Sequence, residues 1–197
     1  MTRRLVQLYA GLVLYGVSLA LMVRAELGLD PWDVLHQGLA YRLPLTFGQI
    51  VIVVGALVLL AWVPLRQRPG LGTISNVFVI GLAVDAALAV LPAPDPMAWR
   101  IAFLVSGVVL NAVATAAYIG ARLGPGPRDG LMTGLVVRTG RSVRLIRTSI
   151  ELSVLATGWL LGGTVGVGTV LYAISIGALV HVLLPRLTVP QRLEVVS

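Results

Sequence analysis

Long apolar runs, broken by short polar stretches that carry most of the arginines, dominate the chain. About 20 apolar residues cross a bilayer as a helix. Six runs meet that length, at roughly residues 5–23, 45–65, 71–91, 99–121, 143–161 and 167–184. Two further segments, 31–43 and 127–139, are shorter and more polar. About 13 residues cannot cross the hydrocarbon as a helix, so both are read as re-entrant or interfacial half-helices. The pattern predicts an all-α membrane protein of six transmembrane helices plus two short ones.

Shifting the sequence by 96 residues against itself exposes an internal repeat without gaps. Between Ala25 and Arg42 the shift gives nine identities in 18 positions, among them Gly28 with Gly124, Pro31 with Pro127, Asp33 with Asp129 and Arg42 with Arg138. Chance in so biased a composition gives roughly two. A second block pairs Gly70, Gly72, Thr73, Ile80, Gly81 and Val84 with Gly166, Gly168, Thr169, Ile176, Gly177 and Val180. Each half holds three spans and one short segment, and an odd number of crossings makes the second half enter from the opposite face. The chain is therefore read as one transmembrane domain over 1–197, made of inverted repeats at about 3–98 and 99–194. Such pairs, related by an axis in the membrane plane, are characteristic of secondary transporters.

Composition agrees with the spans: 57% of the 197 residues are hydrophobic and 12% charged, with a mean hydropathy of +0.94. A length of 197 leaves no room for a large soluble domain beside them. There is no cysteine, which removes disulfides, thiolate metal sites and thiol nucleophiles together. The net charge of +7 comes from 15 arginines with no lysine, against eight acids. In a soluble protein this excess would suggest nucleic acid, but here it orients the chain. With the amino end inside, eleven arginines (3, 4, 66, 68, 122, 128, 138, 141, 144, 186 and 192) fall on or near the cytoplasmic side. Arg24, Arg42 and Arg100 fall outside, and Arg147 lies within the fifth span. Both termini are thus expected in the cytoplasm, with the first apolar run retained because no small-residue cleavage site follows it. Trp62, Trp99 and Trp159 lie near span ends, where interfacial belts form.

Three motifs carry candidate chemistry. LGLDPWD (residues 27–33) is answered by LGPGPRD (123–129). Proline suits a first helical turn, and Asp33 and Asp129 there complement the exposed N–H groups, either as capping acids or as solute ligands. GLGT, with Gly70, Gly72 and Thr73, is answered by GVGT, with Gly166, Gly168 and Thr169. These residues allow a tight turn, close helix approach and a threonine hydrogen bond to freed backbone. Asn76 and Asp85 follow on the third span, at positions taken by Tyr172 and His181 in the second half. The run RSVRLIRTSIE enters the fifth span, with Arg144, Arg147 and Glu151 on one helical face. Arg147 and Glu151 form the best intramembrane ionisable pair in the sequence, and such pairs mark a pathway or a structural partner. His36 and His181 read as hydrogen-bonded structural residues rather than proton carriers. No nucleotide loop, zinc motif or hydrolase triad is readable, so neither cofactor nor metal is expected.

The blocks LGLDPWDVLHQGL, PGLGTISNVFVIGLAVD, LGPGPRDGLMTGL, RTSIE and GWLLGGTVGVGTVLYAISIG together resemble the YczE-like branch of the YczE/YyaS/YitT family of bacterial integral membrane proteins. The resemblance runs from the first span to about Leu184, with the blocks in order. It implies a small multi-pass membrane protein and brings no ligand or catalytic residue with it. One departure is Ala178, where the family is expected to favour proline after the glycine; it bears on local helix geometry.

The sequence thus favours a small transporter or facilitator of a polar solute, using alternating access at the repeat interface, with the bilayer and the solute as partners and no nucleic acid. A homo-oligomer is compatible with it. Substrate-binding candidates are Asp33, Asn76, Asp85, Asp129, Arg147 and Glu151. The alternative is an accessory membrane protein that stabilises or assembles a partner, for which a dry, packed repeat interface is expected. An enzyme is disfavoured because nothing in the sequence sets a nucleophile beside a base.

Overall fold

The computed structural model describes residues 1–189. Arg192 and the last residues of the second repeat lie outside them. The described chain is eight α-helices: α1 (Thr2–Ala25), α2 (Pro31–Ala40), α3 (Phe47–Leu65), α4 (Leu71–Val90), α5 (Met97–Gly120), α6 (Pro127–Thr139), α7 (Val143–Leu160) and α8 (Val167–Leu187). Five of them, α1, α3, α4, α5 and α8, are long and apolar enough to cross a membrane. The sixth expected span, α7, has 18 residues and carries Arg144, Arg147 and Glu151, which lowers its apolar content below that of the other five.

Local chemistry sets the boundaries. Pro31 and Pro127 occupy the first turns of α2 and α6, where the missing N–H costs nothing. Asp30 caps α2, its Oδ1 accepting from the Trp32 and Asp33 amides at 2.9 and 3.2 Å. Thr46 and Gln49 cap α3 reciprocally, and Ser142 caps α7. In the GLGT and GVGT turns, Thr73 Oγ1 accepts from Gly70 N and Thr169 Oγ1 from Gly166 N, each at 3.2 Å.

Packing repeats across the two halves. α1 packs on α4 and α5 on α8, while the short helices cross over, α2 onto α7 and α6 onto α3. The most extensive pair is α1 with α5, where Gly11 and Gly107, 96 residues apart, admit the opposing helix. Gly72 N donates to Leu123 O (2.8 Å) and Gly168 N donates to Leu27 O (2.7 Å), the same bond made once in each direction. These contacts need Gly28 and Gly124, which have φ of +111° and +133°. A Cβ on Gly28 would strike Gly166 and one on Gly124 would strike Gly70 and Thr73, so both backbone conformation and space demand glycine.

The arginines continue the pattern. Carbonyls at a helix carboxyl end lack intrahelical donors and carry partial negative charge. Arg4 donates to Ala121 O and Arg122 O at the end of α5, and Arg100 donates to Ala25 O and Glu26 O at the end of α1. Arg42 donates to Leu161 O after α7 (3.3 Å) and Arg138 to Pro64 O in α3 (2.7 Å). Arg24 donates to Leu88 O of α4. Arg4 and Arg138, which charge counting assigns to orientation alone, therefore also tie helix ends together.

Because α2 ends beside the end of α7 and α6 beside the end of α3, the two short helices point in opposite directions. Their amino ends meet. Trp62, expected in an interfacial belt, is instead buried at that meeting point, its Nε1 donating to Pro127 O at 3.0 Å while Gly130 lies against its ring. Trp99 and Trp159 are exposed.

Candidate functional site

The meeting of the short helices brings together residues that the repeat does not conserve. Shifted by 96, Asp30 corresponds to Gly126 and Trp32 to Arg128. The Arg128 guanidinium lies over the Trp32 ring, 4.9 Å from its centroid, a favourable cation–π placement. Its two terminal nitrogens face Asp30 Oδ1 and Asp33 Oδ1, each at 3.6 Å. That separation gives an ion pair without a direct hydrogen bond. His36 Nδ1 donates to Asp33 Oδ1 at 2.8 Å. Asp30, Asp33 and His36 are all buried, and the second carboxylate oxygens of Asp30 and Asp33 have no hydrogen-bond partner.

In front of this cluster lies a cavity of about 470 Å³, within the range of small-molecule sites. Asp30, Trp32, His36, Arg128 and Asp129 line it together with Tyr15, Tyr118 and Tyr172. Val51, Val54, Val58, Ile150 and Ile176 supply an apolar side. Tyr118 donates to Asp129 Oδ2 at 3.4 Å. Tyr172 donates to Asn111 Oδ1 (2.9 Å), Asn111 Nδ2 donates to Ser18 Oγ (2.9 Å), and Ser18 donates to Tyr15 O (2.6 Å). Asn111 and Ser18 are fully buried and each of their polar side-chain atoms has a partner, so this chain holds the Tyr172 ring in place.

The structure divides the sequence candidates. Asn76, Asp129, Arg147 and Glu151 line the cavity. Arg147 Nε donates to Glu151 Oε1 at 2.9 Å, and with side-chain exposures of 59% and 39% the pair stands at the rim. Asp33 lies behind the wall and reaches the cavity through Arg128. Asp85 is not in the cavity. It accepts hydrogen bonds from Thr46 Oγ1 and, at 2.7 Å, from Gly48 N, and so fastens the start of α3 to the later half of α4. Gly70, Gly72, Thr73, Gly166, Gly168 and Thr169 lie in the turns described above, and Thr73 also donates to Pro125 O at 2.7 Å.

Sequence reasoning missed Asp30 and Arg128, although both lie in motifs it singled out. It selected the positions where the copies agree and counted Arg128 among the cytoplasmic charges. Arg128 lines the cavity and pairs with Asp30 and Asp33. The available signal was the disagreement between copies, because two related segments that converge on one point differ where a ligand or a charge partner breaks their symmetry.

The halves also differ in closure. α3 packs along α4, whereas α7 and α8 stand apart. In the first half Gly48 and Gly81 sit in contact, so that a Cβ on either would collide with the other helix. Their counterparts are Arg144, a side chain too large for such contact, and Gly177, which has nothing within 4 Å of an added Cβ. His181 replaces Asp85 and lines the cavity. The cavity therefore continues between the first half of α7 and the later half of α8, while the equivalent route between α3 and α4 is shut.

Comparison with known proteins agrees with the arrangement of a helical membrane protein. Residues 2–185 match a family of unknown function, DUF6198. An uncharacterized protein of Haemophilus influenzae is 41% identical over 170 residues, covering 86% of this chain and 78% of its own. The uncharacterized membrane protein YczE of Bacillus subtilis is 37% identical over 181 residues, covering 90% and 84%. The uncharacterized protein YyaS of the same organism is 26% identical over 181 residues, with 89% of each chain covered. No solved structure matches. With nearly its whole length matched to one family and relatives well above 30% identity, the chain belongs to the DUF6198 family and is a relative of the membrane protein YczE.

Proposed function

We propose that the protein is a transporter or facilitator of a small polar solute, built from two inverted repeats and working by alternating access. In this reading α7 is the sixth span, and α2 and α6 are half-helices that enter from opposite faces and meet near the midplane. Both termini are cytoplasmic at the bacterial inner membrane. The two reciprocal bonds, Gly72 N to Leu123 O and Gly168 N to Leu27 O, whose donors and acceptors correspond under the 96-residue shift, support the two-fold relation of the repeats. One observation carries the functional reading: a central cavity, largely apolar with charged and polar side chains on its lining, is open between α7 and α8 and closed at the equivalent place between α3 and α4. With the amino end inside, the open side faces the cytoplasm. Exchange of the two arrangements would turn the cavity to the other face, which is how inverted repeats produce alternating access.

The cavity also weighs against the accessory reading, which calls for a dry, packed repeat interface. The test is saturable uptake into proteoliposomes, measured across a panel of small solutes for the parent protein and for Arg147→Ala. Failure to carry any solute class, in protein that remains folded, would count against transport. Uptake by Arg147→Ala equal to the parent would remove Arg147 from the pathway and leave transport standing.

A further inference from the structure

The charged groups of the lining differ in what they leave open. Arg147 and Glu151 satisfy each other at the rim. Asp30 is 2% exposed, its Oδ1 is taken by the amides of α2, and its Oδ2 is sealed, as is Oδ2 of the buried Asp33. Arg128 is the opposite case. Its side chain is 31% exposed, and none of its nitrogens makes a hydrogen bond among the described residues, because the carboxylates of Asp30 and Asp33 stop at 3.6 Å. Unlike the two aspartate oxygens, none of these nitrogens is sealed. A planar fork of N–H donors is therefore open on the lining, with its counter-charges buried. The next residue, Asp129, is exposed, lines the cavity and accepts one long bond, from Tyr118 at 3.4 Å.

The amino end of α6 extends this pair. Asp30 caps α2, but its counterpart is Gly126, which lines the cavity and leaves α6 without a side-chain cap. The Arg128 and Asp129 amides correspond to the capped Trp32 and Asp33 amides and have no side-chain acceptor among the described residues. A Cβ on Gly126 would stand 3.0 Å from Tyr118 Oη and 3.1 Å from Asp129 Oδ2. Open donors and an accessible carboxylate thus share the first turn of α6.

We propose that the cavity takes a small zwitterion, an α-amino acid, with its carboxylate on the Arg128 guanidinium and its ammonium group on Asp129. This rests on the solute-carrying reading and names its substrate class. A lone anion would answer Arg128 but face Asp129 uncompensated, and a lone cation would do the reverse. A zwitterion answers both and brings no net charge into the bundle, where unpaired charge is costly. Neighbouring residues on one helical turn suit a solute whose two charges are close together. Val51, Val54 and Ile176 offer apolar lining for its side chain.

The test is equilibrium binding to the full chain in nanodiscs, followed by calorimetry. The probes are L-leucine, isocaproate and isoamylammonium, one skeleton carrying both charges, the anion alone and the cation alone. Saturable binding is expected for leucine, with each of the others weaker by about ten-fold or more. Arg128→Lys keeps a counter-charge for Asp30 and Asp33 but loses the planar fork, and should weaken leucine by about the same factor. Asp129→Asn should abolish the preference for leucine over isocaproate, a readout that a purely structural role would not move. Isocaproate or isoamylammonium bound as tightly as leucine overturns the proposal, as does absence of leucine binding, or an unchanged preference in folded Asp129→Asn protein. Parent affinity for leucine in folded Arg128→Lys protein overturns it too; if that variant does not fold, the Asp129→Asn preference decides. Binding uses no gradient, so the two readings fail separately. Leucine binding without uptake into liposomes keeps the zwitterion site and removes transport. Uptake of other solutes without leucine binding keeps transport and removes the zwitterion site.

Discussion

The latch at Asp85 permits a quantitative test of which route is shut. Asp85 receives hydrogen bonds from Thr46 Oγ1 and Gly48 N and is the only side chain tying the start of α3 to the later half of α4 by hydrogen bonds among the described residues. A hydrogen bond to a charged group contributes about 1.5–3 kcal/mol. Thr46 is exposed and Asp85 half-buried, so water competes, and about 1.5–3 kcal/mol is the reasonable total for both bonds. Removing it in Asp85→Ala should raise the population open between α3 and α4 by about 10- to 150-fold, at 1.4 kcal/mol per decade. The chain has no cysteine, so a single reporter, Thr115→Cys in the cavity wall, labels without background. In the proposed topology, a membrane-impermeant maleimide added to the outer face should modify the Asp85→Ala protein faster by that factor. Asp85→Asn, whose amide oxygen still accepts, should fall between the two. A folded Asp85→Ala protein labelled at the parent rate from the outer face would refute the latch and with it the assignment of the closed side.

Three further outcomes follow from the packing. Arg128→Gln leaves Asp30 and Asp33 without their counter-charge and should cost about 3 kcal/mol, read as a lower thermal midpoint; an unchanged midpoint would mean that the two carboxylates are neutralised by something other than Arg128. Gly81→Ala should destabilise by about 1–3 kcal/mol through overpacking against α3, whereas Gly177→Ala, which meets nothing within 4 Å, should be neutral or stabilising by up to about 1 kcal/mol from helix propensity; equal effects in denaturation would contradict the asymmetry of the two helix pairs. Arg4→Gln and Arg100→Gln each remove two carbonyl bonds at opposite ends of the bundle and should lower stability by about 1 kcal/mol apiece, additively in the double variant; strong non-additivity would show that the two ends communicate.

Hydrophobic run lengths determined the existence and order of the eight helices, and the 96-residue shift determined their correspondence, because both depend on local properties: how many apolar residues cover a helix and how a duplicated segment keeps its turns. The same shift pointed to Gly28 and Gly124, whose left-handed backbone few other residues adopt. Only the tertiary structure decided what the charges do. Arg128 and Arg138 look alike in a charge count, yet one stacks on Trp32 between two aspartates and the other binds the Pro64 carbonyl. Asp33 and Asp85 are both substrate-binding candidates in the sequence, yet one supports the cavity wall and the other fastens α3 to α4. The reason is that a charge acts over a few ångströms through its neighbours, and those neighbours are distant in sequence: for Arg128 and Arg138 they come from the other half of the chain, brought close by the crossed short helices, and for Asp85 from the start of α3. Sequence spacing along one copy contains no record of that crossing.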